Sequence, residues 1–304
     1  MNKPKVTIIV LQYNNSQDTI RCLNSVKELD YPDYTTTVVD NASDVKDFNN
    51  IRFFVESLQN TRFDLISSDK NLGYAGGNNL GVKQALENSA DYIFILNPDT
   101  TVEQNALTEL IEAVKSNPKI GIIGLAIDEG NHTIYGGKIE WLKPELTHIN
   151  KIHGNFYTTV LKLPRENYIP GACMLIKRDV VKKIGLLDER YFLYFEDADY
   201  CVRARNAGYE LAITPEIIAK HSVSASTSNL GSALLLRYHF RNAHLFNFKN
   251  GPIWVKLVLP FWSVFIIIKQ LVKIVFVRSK REISRAILAG VTDFYTNKLD
   301  KINV

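Results

Sequence analysis

The first 130 residues alternate between two hydrophobic periods. Val6–Leu11 is an unbroken β-branched and aliphatic run, and Gln17–Leu29 then sets Ile20, Leu23 and Val26 at helical spacing. Thr35–Val39 is again β-branched and stops at the turn-forming Asp40-Asn41-Ala42-Ser43. Phe63–Ser67 predicts a short strand and Ala75–Asn88 a helix. Asp91–Leu96 predicts a strand that ends at Asn97-Pro98-Asp99, Glu103–Lys115 a helix, and Ile120–Ile127 a strand. Strands alternating with helices of this length predict βαβ units, an α/β class and an open, mostly parallel sheet. Such a sheet binds ligands beyond the carboxyl ends of its strands. That rule selects Gln12-Tyr13-Asn14, Asp40-Asn41 and Asn97-Pro98-Asp99. A mixed region follows, with a short strand at Gly171–Lys177. Helical patterns then flank Glu196-Asp197-Ala198-Asp199, and from Leu230 the chain predicts mainly helix.

One stretch departs from this pattern. Ile253–Val277 is strongly apolar but interrupted by Lys256, Lys269 and Lys273. Its longest charge-free run, Leu257–Ile268, would span about 18 Å as a helix, short of the roughly 30 Å hydrocarbon core. On a helical wheel Lys256, Ser263, Lys269, Gln270 and Lys273 share one arc. Leu257, Phe261, Val264, Phe265, Ile268, Leu271, Val272 and Val275 share the other. The pattern predicts a helix lying in a membrane surface, with packing on the protein's own core or on a second copy as the alternative. Charge supports a division there. Residues 251–304 hold nine Lys/Arg and three acids, a balance of +6, which leaves −2 for the other 250 residues of a chain of net charge +4. The expected organisation is a body over 1–250 and a basic amphipathic tail over 251–304. An acidic body argues against nucleic-acid binding. The six-residue run at Val6–Leu11 is too short for a secretion signal, and Cys22, Cys173 and Cys201 show no C-x-x-C spacing. Both point to a cytoplasmic location.

Four features carry candidate chemistry. Asp99, just past a buried strand, suits a hard divalent cation that holds phosphate oxygens; it equally suits a helix cap. Asp40 suits a ribose or base edge, or an Asx turn. Asn71-Leu-Gly-Tyr-Ala-Gly-Gly-Asn-Asn-Leu-Gly81 is a glycine-rich entry to a helix without dinucleotide-fingerprint spacing. Glu196, Asp197 and Asp199 crowd behind the aromatic run Phe192-Leu-Tyr-Phe195. That arrangement raises carboxyl pKa values, as a general base requires, and also suits a helix N-terminus. His221, after the apolar Ile217–Ala219, is either a metal ligand or a structural histidine.

Taken in order, seven segments resemble family 2 glycosyltransferases of the rhamnosyltransferase-like branch. They are Val6-Thr-Ile-Ile-Val-Leu-Gln-Tyr-Asn14, Val38-Val-Asp-Asn-Ala-Ser-Asp44, the Asn71–Gly81 turn, Leu96-Asn-Pro-Asp-Thr100, Gly171-Ala-Cys-Met174, Phe195-Glu-Asp-Ala-Asp-Tyr-Cys201 and Arg237-Tyr-His-Phe-Arg-Asn242. The resemblance covers about residues 4–250 and implies the GT-A fold, a Rossmann-like twisted sheet flanked by helices, here with a C-terminal helical extension. It implies an inverting transfer from a nucleotide-diphosphate sugar (dTDP-rhamnose or a UDP-sugar) to a glycan or polyprenyl-linked acceptor in cell-surface polysaccharide synthesis. Gln12, Tyr13, Asp40, Asn71, Asn79 and Asn97 then fall to the donor nucleotide, and Gly171 and Ala172 to the acceptor. Asp99 and His221 fall to a Mn²⁺ or Mg²⁺ ion, and Asp197 with Glu196 to catalysis. Asn97 replaces the first acid of the family's D-x-D motif, leaving Asp99 most of that duty. Arg237, Arg241 and Asn242 match a late motif expected to touch phosphate or acceptor. A non-catalytic nucleotide- or glycan-binding module of the same fold is the alternative.

Overall fold

The computed structural model describes residues 3–151, 160–222 and 232–302; the predicted helical start at Leu230 lies outside them. The chain runs β1 (Val6–Gln12), α1 (Ser16–Lys27), β2 (Tyr34–Asp40), α2 (Val45–Ser57), β3 (Phe63–Ser67), α3 (Gly73–Glu87) and β4 (Tyr92–Leu96). It continues with β5 (Thr100–Thr101), α4 (Ala106–Ser116) and β6 (Ile120–Asp128). Five short strands fill the mixed region: β7 (Thr133–Ile134), β8 (Gly137–Lys138), β9 (Thr147–His148), β10 (Leu161–Lys162) and β11 (Asn167–Tyr168). Then come β12 (Cys173–Lys177), α5 (Arg178–Ile184), α6 (Glu196–Asn206), β13 (Glu210–His221), α7 (Ser232–Asn250), α8 (Ile253–Phe276) and α9 (Arg281–Tyr295).

The main sheet has the order β3-β2-β1-β4-β12-β6-β13-β10. β1, β2, β3 and β4 are parallel, β12 is antiparallel to both β4 and β6, and β13 is parallel to β6. This is the expected α/β, mostly parallel sheet flanked by helices. All seven residues of β1 are buried, because helices cover both faces. Its period of two divides them. Val6, Ile8 and Val10 pack with Leu23 of α1, Ile51 of α2 and Leu110 of α4. Ile9 and Leu11 pack on the other face with Val82 of α3, Val180 of α5, Cys201 of α6 and Phe246 of α7. Helix α3 gets that close because a Cβ on Gly77 would stand 2.4 Å from Leu11 and one on Gly81 2.6 Å from Ile9. The three cysteines are buried and free.

Two elements were not legible. Helix α2 buries only Ile51 among its 13 residues, so its hydrophobic period is weak. The turn predicted at Asp40–Ser43 leads straight into it, and the Asp44 carboxylate caps it by accepting the Asp47 N–H at 2.9 Å. Strand β13 runs twelve residues, far beyond the apolar Ile217–Ala219. Pro215 lies where its register with β6 shifts, between Thr214 and Ile218, and hides its continuity.

Helix α8 continues through Pro260 for 24 residues, about 36 Å, and is long and apolar enough to cross a membrane. Val255, Leu259, Ser263, Ile266 and Gln270 turn inward. Ser263 meets His244 Nε2 at 3.1 Å and Tyr295 Oη at 2.8 Å. The centre of the predicted polar arc therefore faces protein, and the predicted apolar arc is exposed from Leu257 to Val275.

Candidate active site

The carboxyl edge of the sheet gathers the selected residues. β5 pairs antiparallel with the end of β13, matching Thr100 to His221. This sets His221 Nε2 3.2 Å from Asp99 Oδ1. The two atoms are not aligned for a hydrogen bond, and neither has another hydrogen-bond partner. The other ring nitrogen, Nδ1, stands 3.3 Å from Glu129 Oε1. Burial pulls the imidazole pKa down, but Asp99 and Glu129 outweigh it and hold the ring above its ordinary value. A buried, unpartnered carboxylate oxygen beside an imidazole nitrogen is a donor pair that fits Mn²⁺ or Mg²⁺ when substrate phosphates complete the shell. Among the described residues no group of three or more His, Cys, Asp or Glu forms a fuller cluster.

The acid pair opens helix α6, as acids at a helix N-terminus do. Asp197 Oδ2 accepts the Gly171 N–H at 3.0 Å and Oδ1 the Ala198 N–H at 2.7 Å. Its side chain stays partly exposed. Burial pushes its pKa up to about 6 against the pull of those N–H groups. Burial, with Asp197 beside it, pushes Glu196 well above the carboxylate range, and Glu196 Oε2 has no partner. Two consecutive residues join this wall to the metal side. Gly171 donates to Asp197, and the Ala172 carbonyl accepts the Asn97 N–H at 3.0 Å. Tyr74 completes the join: its hydroxyl donates to the Gly171 carbonyl at 2.6 Å. Burial first, then Glu196, Asp197 and Asp99, raise its pKa well above the ordinary value, so it stands within the field of both walls.

The nucleotide candidates divide in two. Asp40 Oδ2 accepts the Ser43 N–H at 3.1 Å, the Asx turn, while Oδ1 is buried without a partner. Asn97 Oδ1 is likewise buried and unpartnered. Tyr13 is partly exposed at the end of β1. The other three are occupied by protein. Gln12 Nε2 donates to Ser43 Oγ and its Oε1 accepts from Asn15 and Thr19. Asn71 Oδ1 accepts the Gly73 N–H, and Asn79 ties α3 to Leu187 and Glu189 through three hydrogen bonds. Gln12 and Asn79 have all their side-chain polar atoms taken by protein, and Asn71 its oxygen.

A family model described as glycosyl transferase family 2 matches residues 7–185. The chain belongs to that family. Among curated proteins this family 2 chain is 27% identical over 194 residues to a low-salt glycan biosynthesis hexosyltransferase of Haloferax volcanii, covering 59% of this chain and 58% of that protein. It is 24% identical over 205 residues to the N-acetylglucosaminyl-diphospho-decaprenol L-rhamnosyltransferase of Mycobacterium tuberculosis, covering 61% and 66%. The matches span less than two thirds of either relative. Among solved structures it resembles a mannosyltransferase of Pyrobaculum calidifontis in complex with GDP-Man and Mn²⁺, with a TM-score of 0.56, 16% identity and coverage of 98% of this chain and 89% of that one. It also resembles TarS of S. aureus in complex with UDP-GlcNAc, with a TM-score of 0.57, 13% identity and coverage of 96% and 92%. At such identity the likeness is one of fold.

For this family 2 chain, sequence reasoning missed Glu129 and Tyr74. Glu129 had a usable signal, since it immediately follows the strand predicted at Ile120–Ile127 and lies at the same sheet edge as Asp99. Tyr74 had none beyond its glycine-rich surroundings. The late motif plays another part than expected. Arg241 and Asn242 are fully buried and hold backbone carbonyls, and Arg237 pairs with Asp293 of α9 at 2.7 and 3.1 Å.

Proposed function

We propose that the chain is a metal-dependent, inverting glycosyltransferase. It moves a sugar from a nucleotide-diphosphate donor, dTDP-rhamnose or a UDP-sugar, to a hydroxyl of a lipid-linked glycan. The observation that carries this reading is the short bridge Gly171-Ala172, which ties Asp197 to the backbone of Asn97, two residues from Asp99. A carboxylate suited to a base is thus joined through two residues to the loop that carries one suited to a diphosphate-bound cation.

The side chains divide the work. Asp99 and His221 hold the cation, which when bound neutralises charge on the diphosphate leaving group. Asp40 Oδ1, Asn97 Oδ1 and Tyr13 offer the donor the free polar groups of its subsite. Asp197, held by two N–H groups and open to the cleft, takes the proton of the acceptor hydroxyl as it attacks the anomeric carbon. Its raised pKa strengthens it as a base, and one displacement inverts the centre. Gly171 and Ala172 line the acceptor side. The mannosyltransferase complex with Mn²⁺ supports the cation, and the decaprenol-linked activity of the mycobacterial relative supports the acceptor class.

The exposed apolar face of α8 would seat the protein on the cytoplasmic leaflet. Phe261, Phe265, Ile268 and Leu271 stand outward, and Lys256, Lys269, Arg278, Lys280 and Arg281 are exposed around them, a pairing that suits anionic headgroups. A second copy covering the same face is the rival.

Thermal denaturation with TDP, UDP, GDP and CDP, each with and without Mn²⁺, tests the site. A ligand at 100 times its Kd adds about 2.7 kcal/mol. One nucleotide should stabilise the wild type only with metal, and Asp99→Ala should abolish the gain. If no nucleotide moves the midpoint, the transferase reading fails. For α8, the full chain should float with anionic vesicles and Phe265→Glu/Leu271→Glu should not. Equal flotation removes the membrane assignment.

A further inference from the structure

The turn that precedes the acid pair is strained. Phe192, Tyr194 and Phe195 have φ of 60°, 71° and 74°, although none is glycine. Bulky residues are outliers there, and such strain persists only where the surroundings over-determine it.

Two walls over-determine this turn. On one side, Gly73 sits so close that a Cβ would stand 2.3 Å from the Phe192 carbonyl oxygen, which accepts the Tyr74 N–H at 2.7 Å. On the other side is α7. Asn242 Nδ2 points at three carbonyls, of Tyr191, Leu193 and Tyr194, at 2.8, 2.7 and 3.1 Å. Arg241 donates to the Tyr191 carbonyl at 2.9 Å and to Asn242 Oδ1 at 2.9 Å, so it also orients the asparagine. Both side chains are fully buried. The turn's rings stack on the same helix. Phe192 lies 5.5 Å from Tyr238 and Tyr194 lies 4.3 Å from His239, each pair nearly parallel, and Phe195 lies 5.4 Å from Phe246.

The C-terminal segment closes the assembly. Arg241 Nη1 donates to the Asp300 carbonyl at 2.6 Å, and the Ile302 N–H donates to Tyr238 Oη at 2.8 Å. The far end of the chain therefore bears on the arginine and on the tyrosine ring that grips the turn.

We propose that Arg241 and Asn242 are positioning residues: they hold the strained 192–195 turn so that Asp197 faces the cleft, and the C-terminal strand of chain at Asp300–Ile302 keeps them in place. The catalytic consequence rests on Asp197 being the base. Neither residue is then a phosphate or acceptor contact, and loss of either should leave donor binding intact while slowing chemistry. Misplacement of a reacting group by about 1 Å is enough to cost roughly 10²-fold.

The test uses the full chain with Arg241→Lys, Asn242→Ser and Tyr238→Phe. The last deletes only the hydroxyl bonded to Ile302 and keeps the ring on Phe192, so it covers failure of the first two to fold. Three quantities are measured: amide hydrogen exchange over 190–199, the midpoint shift with UDP or TDP plus Mn²⁺, and release of nucleoside diphosphate from UDP-glucose or dTDP-rhamnose. Exchange over 190–199 should quicken while β1 and β4 stay unchanged. The nucleotide shift should match the wild type. Turnover should fall about 10- to 100-fold in the first two variants and less in the third. Unchanged exchange, unchanged turnover, or a nucleotide affinity that falls as far as turnover would each overturn the proposal. If the wild type turns over neither donor and no nucleotide moves its midpoint, the transferase reading fails by itself and the exchange data decide whether the clamp exists.

Discussion

The two walls of the cleft are built on opposite principles. The donor wall, at the ends of β1, β2 and β4, leaves Asp40 Oδ1 and Asn97 Oδ1 buried without a partner and gives Asp99 Oδ1 only the His221 ring at 3.2 Å. A buried polar atom without a partner costs about 1–3 kcal/mol, which a ligand returns on binding. The acid wall, at Phe192–Asp197, gives Asp197 two N–H partners and shapes it instead by burial and backbone strain. The first wall offers unpartnered oxygens to a ligand, and the second, although Glu196 Oε2 lacks a partner within it, is held under backbone strain. The difference separates recognition from chemistry, so substitutions on the two sides should fail in different ways.

The sharpest break is Asp197→Asn. Turnover should fall about 10²–10⁴-fold while the metal-dependent nucleotide shift persists. Loss of both together would erase the distinction between the walls. On the donor side, Glu129→Gln should weaken Mn²⁺ binding about 10- to 100-fold, because a carboxylate behind a ligating histidine fixes its orientation and basicity. Titration of Mn²⁺ in the presence of saturating UDP or TDP measures this, and an unchanged affinity would remove Glu129 from the site.

A pH series sharpens the contrast. Asp197 must be ionised to act, so turnover should drop about tenfold per unit below about pH 6. The stability effect has the opposite sense. A folded-state pKa raised above the unfolded one gives stability that is full below the ordinary carboxylate range and is lost as pH rises through about 6. The melting temperature of Asp197→Asn relative to wild type should therefore climb between pH 4 and pH 8. A flat difference would mean that the carboxyl is not held high. The smallest catalytic effect is expected from Asn79→Ala. It should lower stability by about 1–3 kcal/mol yet leave turnover per folded molecule unchanged, since all its bonds tie α3 to Leu187 and Glu189.

Strands β1, β2 and β4 were legible because they are almost wholly buried and announce themselves as nearly unbroken apolar or β-branched runs. The acids at the strand ends were legible for the same reason, since a polar residue right after such a run has few other places to be. Helix α2 was not, because one buried residue in 13 leaves no period to read. The Arg237–Asn242 motif was visible as a pattern but not as a role. Arginine and asparagine near a binding site suggest ligand contact, and only the closeness of three carbonyls from residues some 50 positions earlier shows what they hold.

By itself, the sequence determined the order of the strongly periodic strands and helices, most of the residues that reach the carboxyl edge, and the existence of one long apolar arc in the tail. These follow from periodicity, which is a local property of the chain. Tertiary structure alone decided which of those residues are free. Gln12 and Asn79 look as available as Asp40 and Asn97 when read along the chain. They differ only in whether a distant segment comes close enough to occupy their polar atoms. It decided likewise that Ser263 and Gln270 of α8 turn inward and the apolar arc outward, because only there do His244 and Tyr295 offer the serine its partners.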